Sequence, residues 1–166
     1  MKILFISLGC DKNLADSEEM LGLLTGNGHE IVDSEEEADA IVINTCCFIH
    51  DAKEESVNTI LEMAEYKKTG TCKILIVTGC MAQRYKEEIT EEIPEVDAVL
   101  GTTSYGDIVK ALNEAEAGHV FQEFKDINAL PRRFRFRRVY YNWWTFRILK
   151  IAEGCDKLVL CIIPSL

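Results

Sequence analysis

Four short runs of apolar, mostly β-branched residues recur along the chain, at 2–8 (KILFISL), 40–45 (AIVINT), 73–78 (KILIVT) and 96–100 (VDAVL). The stretches between them carry helical periodicity. Strands that read as near-continuous apolar runs are buried on both faces, which happens when helices cross over a parallel sheet on either side. In the first intervening stretch Leu14, Met20, Leu21 and Leu24 share a helix face, and Gly26-Asn27-Gly28 supplies the left-handed backbone that ends a helix. In the second, Val57, Ile60, Leu61 and Ala64 fall on one face, and Asp51 with Glu54 has capping-box spacing. Tyr85, Ile89 and Ile93 line a third helix that stops before Pro94, and Ile108, Val109, Leu112 and Ala115 line a fourth that stops at Gly118. EIV at 30–32 is a weaker strand signal. The pattern predicts an α/β fold, a doubly wound and mainly parallel sheet with helices on both faces. With 166 residues, 48% of them hydrophobic, the chain holds one such domain with a sizeable core and little more.

Three of the four runs end on a cysteine: ILFISLGC at Cys10, AIVINTC at Cys46 and KILIVTGC at Cys80. In a parallel sheet the carboxyl ends of all strands lie on one edge, and ligands bind there. Each cysteine also precedes a predicted helix, whose unpaired N–H groups and positive dipole end favour a thiolate. Three thiolates therefore converge on one electrophilic centre if their strands are neighbours. Taken singly, each cysteine also suits a strand end as a small buried hydrophobe. Cys72 precedes its strand and belongs at the opposite edge, roughly 26 Å from Cys80 along an extended chain, so it is excluded as a ligand. Cys47 directly follows Cys46 and is expected to support the site rather than ligate. Three sulfurs without a nearby fourth suit an iron-sulfur cluster better than structural zinc, which wants a closed set of four. His29, His50 and His119 keep a zinc alternative open, His50 being nearest to Cys46 in sequence. No GxxxxGK[ST] loop or GxGxxG fingerprint supports nucleotide binding.

The formal net charge of -10 is unevenly placed. Residues 1–128 carry 10 basic against 26 acidic side chains, whereas 129–150 carry seven Arg and Lys and no acid. The acidic field disfavours nonspecific binding to phosphate backbones and attracts a basic protein. In the basic segment arginines alternate with aromatics, as on single-strand nucleic-acid surfaces. No fold-level motif accompanies them, so a linker or a strand entering another domain is expected and direct nucleic-acid binding is not. MKILFISLGC has too short an apolar stretch for a cleaved leader, and Ser7 stands where a lipoprotein signal wants an apolar residue. No run of 18 apolar residues predicts a membrane span. The seven cysteines are accordingly read as reduced cytoplasmic thiols, which more often serve metal or chemistry than disulfides.

Taken together, SLGCDKNLADSE, INTCCFIHDAKEESVNTI and VTGCMAQRY resemble the N-terminal domain of the radical S-adenosylmethionine methylthiotransferases, in order and spacing. SLGC followed by KN, with AKEES after the second cysteine, is similar to the branch that modifies an aspartate of a small-subunit ribosomal protein. The tRNA-modifying branch more usually has GCQMN at the first cysteine. The resemblance implies that Cys10, Cys46 and Cys80 hold an auxiliary 4Fe-4S cluster whose open iron carries the sulfur to be delivered. It further implies that S-adenosylmethionine and a second 4Fe-4S cluster act in a complete enzyme supplied by an electron donor. Residues 1–128 are then the auxiliary-cluster domain, 129–150 a basic aromatic connection and 151–166 the truncated start of the radical domain. There the family's CxxxCxxC is replaced by Cys155 and Cys161 with five residues between, which are carried over as remnants of the second cluster motif. By itself the chain is expected to be inactive. The competing readings are a tRNA methylthiotransferase domain, a noncatalytic iron-sulfur electron-transfer module, and a flavodoxin-like binding domain in which the cysteines are merely packed.

Overall fold

The computed structural model describes residues 1–70, 72–126, 138, 139 and 148. In chain order its regular elements are β1 (Lys2–Ser7), α1 (Asp11–Gly26), β2 (Glu30–Val32), β3 (Ala40–Thr45), α2 (His50–Thr69), β4 (Ile74–Gly79), α3 (Cys80–Arg84), α4 (Lys86–Glu92), β5 (Ala98–Leu100), α5 (Ile108–Glu116) and β6 (Phe121–Glu123). Single 3-10 turns at Glu35–Glu37 and Tyr105–Asp107 complete the connections.

The six strands form one sheet in the order β2-β1-β3-β4-β5-β6, and every pair is parallel. Side chains alternate between two cores. Ile3, Phe5, Val42, Ile76 and Leu100 point to the face covered by Leu21 and Leu24 of α1 and by Ile108 and Leu112 of α5. Leu4, Ile41, Ile43, Leu75 and Val77 point to the other, covered by Ile60 and Met63 of α2, Met81 of α3 and Ile89 of α4. The doubly wound expectation therefore holds in detail. Both central strands, β3 and β4, are buried along their whole length, which explains why they read as unbroken apolar runs.

Three local expectations are corrected. The third predicted helix is two, because Tyr85 leaves the helical region (φ -121, ψ 37) between α3 and α4. Its ring there lies 4.1 Å from the Lys53 Nζ and 5.6 Å from the Arg84 guanidinium carbon. The Asp51–Glu54 capping box does not form. Helix α2 begins two residues earlier, with Ile49 as an N-cap that has no side chain to cap it, so Asp51 sits in the first turn, where its charge faces the positive helix end. Finally, β6 adds an unforeseen sixth strand, pairing Ala98–Leu100 with Phe121–Glu123 at the sheet edge. The basic connection, apart from 138, 139 and 148, and the segment containing Cys155 and Cys161 lie outside the described residues.

Candidate functional site

Chain direction changes sides between β1 and β3. The path runs from β1 outward to β2 and then returns past β1 to β3, from which all later strands extend the other way. At such a switch point the flanking loops diverge to opposite faces and leave a crevice at the carboxyl ends of the strands. Cys10 follows β1 on one side of this crevice and Cys46 follows β3 on the other. Cys80 follows β4, the next strand over, and the register Thr45↔Gly79 sets Cys46 and Cys80 level with one another.

Each cysteine is held by a different device. Cys10 is exposed and is the N-cap of α1, its carbonyl accepting from the Leu14 N–H at 3.1 Å. Cys46 is 4% exposed. Its N–H donates to the Ser56 hydroxyl oxygen at 3.1 Å, and that hydroxyl donates to the Cys46 carbonyl at 2.9 Å, so one buried serine of α2 grips both backbone groups. Cys80 is the first residue of α3, and its thiol faces the Asn13 side-chain oxygen at 3.7 Å.

Asn13 joins the three segments. Its amide nitrogen donates to the Leu8 carbonyl at 3.1 Å and to the Thr45 carbonyl at 2.9 Å, the residues two before Cys10 and one before Cys46. The Asn13 backbone carbonyl in turn accepts from the Asn44 amide at 3.0 Å and the Ser17 hydroxyl at 2.9 Å. Two glycines permit this closeness. At Gly9 (φ +122) a Cβ would lie 2.8 Å from the Cys46 Cβ and 3.0 Å from the Asn13 amide nitrogen. At Gly79 (φ +97) a Cβ would lie 2.4 Å from both the Asn44 side-chain oxygen and the Thr45 carbonyl. Either side chain would drive the strand ends apart.

Electrostatics revise the expectation of a ready thiolate. Burial pushes the Cys80 thiol up to about 11; Lys12 opposes this, while Cys47, Cys46 and Cys10 add to it. Desolvation thus outweighs the short helix behind Cys80 and favours the protonated thiol. Cys47 belongs to the site more closely than its sequence position indicated. It is half-buried, shares the field of Cys46 and Cys80, and is raised by burial against the pull of Arg84, which also hydrogen-bonds it, and of Lys53. Lys12 sets positive charge near Cys80, and Arg84 and Lys53 set it near Cys47. Phe48 and Ile49, 58% and 55% exposed, complete the rim next to Cys47.

Cys72 lies at the amino end of β4, at the opposite edge, where its thiol donates to the Ile74 carbonyl at 3.3 Å and burial raises its pKa. Its side borders a cavity of about 580 Å³ lined with Asp39, Lys67, Gly70 and Lys73. The zinc alternative gains no support. His50 is exposed, 3.9 Å from Glu54, and His119 is 3.2 Å from Glu114. Among the described residues no three His, Cys, Asp or Glu side chains stand close enough to hold a single metal ion. The described arginine of the basic segment, Arg138, is spent on the protein itself: it lies 3.0 Å from the Glu18 carboxylate and donates to the Ala15 and Ile148 carbonyls.

A profile of the family described as Uncharacterized protein family UPF0004 matches residues 2–101. Among curated proteins, the ribosomal protein uS12 methylthiotransferase RimO of Lachnoclostridium phytofermentans is 60% identical over 167 residues, spanning 100% of this chain and 38% of its own. The proteins of the same name from Clostridioides difficile and Symbiobacterium thermophilum are each 47% identical, over 100% and 99% of this chain and 37% and 34% of theirs. The chain thus spans little more than a third of the length of these relatives.

Proposed function

The chain belongs to Uncharacterized protein family UPF0004, and on that footing we propose that it is the sulfur-carrying cluster domain of a methylthiotransferase acting on a small-subunit ribosomal protein. In this reading Cys10, Cys46 and Cys80 hold an auxiliary 4Fe-4S cluster, and the full-length enzyme modifies the β-carbon of an aspartate with S-adenosylmethionine, a second 4Fe-4S cluster and an electron donor. The observation that carries it is the arrival of three cysteines at the carboxyl ends of three adjacent strands, around the switch-point crevice. The relatives' name, ribosomal protein uS12 methylthiotransferase, supports uS12 as the substrate in this reading.

The donor set suits such a group. A cluster spreads its protein sulfurs over several irons, so the thiols need only ring a space, and the lack of a single-ion site does not count against it. Cys10, Cys46 and Cys80 would hold the cluster, which would supply an iron able to bind the sulfur to be delivered. The chain's own residues do the rest. Ser56 fixes the Cys46 backbone, and Asn13 fixes the strand ends. Lys12, Arg84 and Lys53 offset the negative charge that develops when the thiols lose their protons. The acidic surface favours a basic ribosomal protein over RNA. Among the described residues no helix is long and apolar enough to cross a membrane.

Anaerobic reconstitution with iron and sulfide tests the reading. We expect about four irons per chain with broad absorption typical of such clusters, and loss of both in Cys46→Ala. Full iron binding by the Cys10→Ala, Cys46→Ala, Cys80→Ala triple variant overturns it. A spectral response of the loaded chain to added methanethiolate separates sulfur carrier from plain electron carrier. Mass spectrometry of uS12 and tRNA after reaction with the full-length enzyme separates the two substrates.

A further inference from the structure

The Asn13 amide has no freedom of orientation. It is 2% exposed, and its two hydrogens go to two backbone carbonyls, those of Leu8 and Thr45, which only accept. Turning the group over would set its oxygen against both carbonyls and leave them without donors in a buried place. The surroundings forbid a compromise, since the missing Gly9 side chain is the space into which the amide and Cys46 pack. Its oxygen must therefore face Cys80, 3.7 Å from the sulfur, and in the unloaded protein it accepts that thiol's hydrogen. A cysteine that ligates iron has no hydrogen to give. What Asn13 then offers the sulfur is the negative end of a dipole.

We propose that Asn13 is a positioning residue that presents a carbonyl oxygen, and no donor, to the Cys80 sulfur, and so holds a cluster bound at Cys10, Cys46 and Cys80 at a low reduction potential. The proposal rests on the cluster reading above. Hydrogen-bond donors to cluster sulfurs draw off electron density and stabilise the reduced state, one of the levers that set cluster potentials. An acceptor dipole in the same place does the reverse. A cluster so placed is less readily reduced by an electron donor.

The test compares three reconstituted proteins by spectroelectrochemistry and iron content: the unaltered chain, Asn13→Ala and Ser17→Ala. Ser17→Ala removes the hydroxyl that bonds the Asn13 backbone carbonyl and receives the Asn44 amide, yet leaves the Asn13 side chain in place. We expect Asn13→Ala to load less iron and its loaded fraction to show a more positive midpoint potential, while Ser17→Ala, though less stable, keeps the original potential. Should Asn13→Ala fail to fold by far-UV circular dichroism, Asn13→Ser is read the same way, because its hydroxyl is too short to reach both Thr45 and the Cys80 sulfur. An unchanged potential in the Asn13 variant, or a shift shared with Ser17→Ala, overturns the proposal and leaves the cluster reading standing. An unaltered chain that takes up no iron and sulfide overturns both.

Discussion

Replacing Gly79 by alanine isolates the geometry on which the site depends. Gly79 has φ 97 and ψ -162, a region essentially restricted to glycine, which costs an L-residue about 1–3 kcal/mol. The added Cβ would meet two backbone atoms of Thr45, its carbonyl at 2.4 Å and its nitrogen at 2.8 Å, as well as the Asn44 side-chain oxygen at 2.4 Å. Backbone atoms do not swing aside. Relief comes only by opening the β3–β4 ladder at Thr45↔Gly79, where the Thr45 hydroxyl also donates to the Thr78 carbonyl at 2.5 Å. Leaving such a buried group unsatisfied costs about 1–3 kcal/mol. The sum, about 2–6 kcal/mol, is a large share of the 5–15 kcal/mol that roughly bounds domain stability. Gly28→Ala is the control, because Gly28 also has positive φ (+84) but nothing within 4 Å of an added Cβ, so it pays for conformation alone, about 1–2 kcal/mol. Urea unfolding followed by far-UV circular dichroism reads both, with the two variants sharing one m-value. A Gly79→Ala loss no larger than that of Gly28→Ala refutes the claim that close approach of β3 and β4, rather than backbone strain, dictates this glycine.

Ser56→Ala removes both hydrogen bonds on the Cys46 backbone from a site with no solvent exposure, and is expected to cost about 1–3 kcal/mol in urea unfolding and to weaken iron uptake. Alkylation of the native unloaded chain with iodoacetamide, mapped by mass spectrometry, should mark Cys10 first and Cys72 last among the five described cysteines, since the first is exposed while the second is 3% exposed with a thiol raised by burial; early labelling of Cys72 contradicts the placement of the two edges. The Cys80 thiol, raised from 9.0 to about 11 by burial and by Cys47, Cys46 and Cys10 against Lys12, binds its proton more tightly folded than unfolded. Its contribution is therefore complete below pH 9 and lost as pH rises through 11, at most about 3 kcal/mol. Cys80→Ala should flatten that part of the alkaline stability curve, and identical curves for the two proteins would count against it.

The strands that positioned the cysteines were legible because both faces of β3 and β4 are covered, which leaves no polar residue to interrupt AIVINT or ILIVTG until the buried Asn44, Thr45 and Thr78 at their ends. Edge strands carry less signal: Glu30–Val32 has one neighbour and is partly exposed, and FQE at 121–123 has no β-branched residue at all. Periodicity gave the faces of the helices but not their ends, since Ile49 caps α2 with no polar group and Tyr85 breaks a helix without glycine or proline. Spacing named Cys10, Cys46 and Cys80 and set Cys72 aside, which strand direction alone decides. It did not reveal Asn13, Ser56 or Asn44 as the residues that tie them, because a hydrogen bond across 32 residues leaves no local trace. Nor did it weigh burial against the helix dipole at Cys80, a contest that depends on depth rather than on neighbours in sequence.

Whether this fold needs a metal is decided by where its buried surface lies. The two cores sit above and below the sheet, with Ile3, Met20, Leu24, Ile108 and Leu112 on one side and Ile41, Ile43, Ile60, Leu75 and Met81 on the other, all at most 2% exposed. Each such side chain contributes about 1.5–3 kcal/mol by leaving water, and none depends on a sulfur. The strand ends that carry the cysteines are joined without metal, through Asn13, Ser56 and the Thr45 hydroxyl. Small metallo-domains differ, because there the ligands are the core and removal of the ion unfolds the chain. Removing iron from the reconstituted protein with a chelator is thus expected to leave helix content unchanged and unfolding cooperative, with the midpoint lowered only by the lost binding energy. Loss of the far-UV signal on chelation would mean that the thiols hold the sheet together, and that the hydrogen-bonded rim described for the unloaded chain is too weak to keep the three cysteines in register.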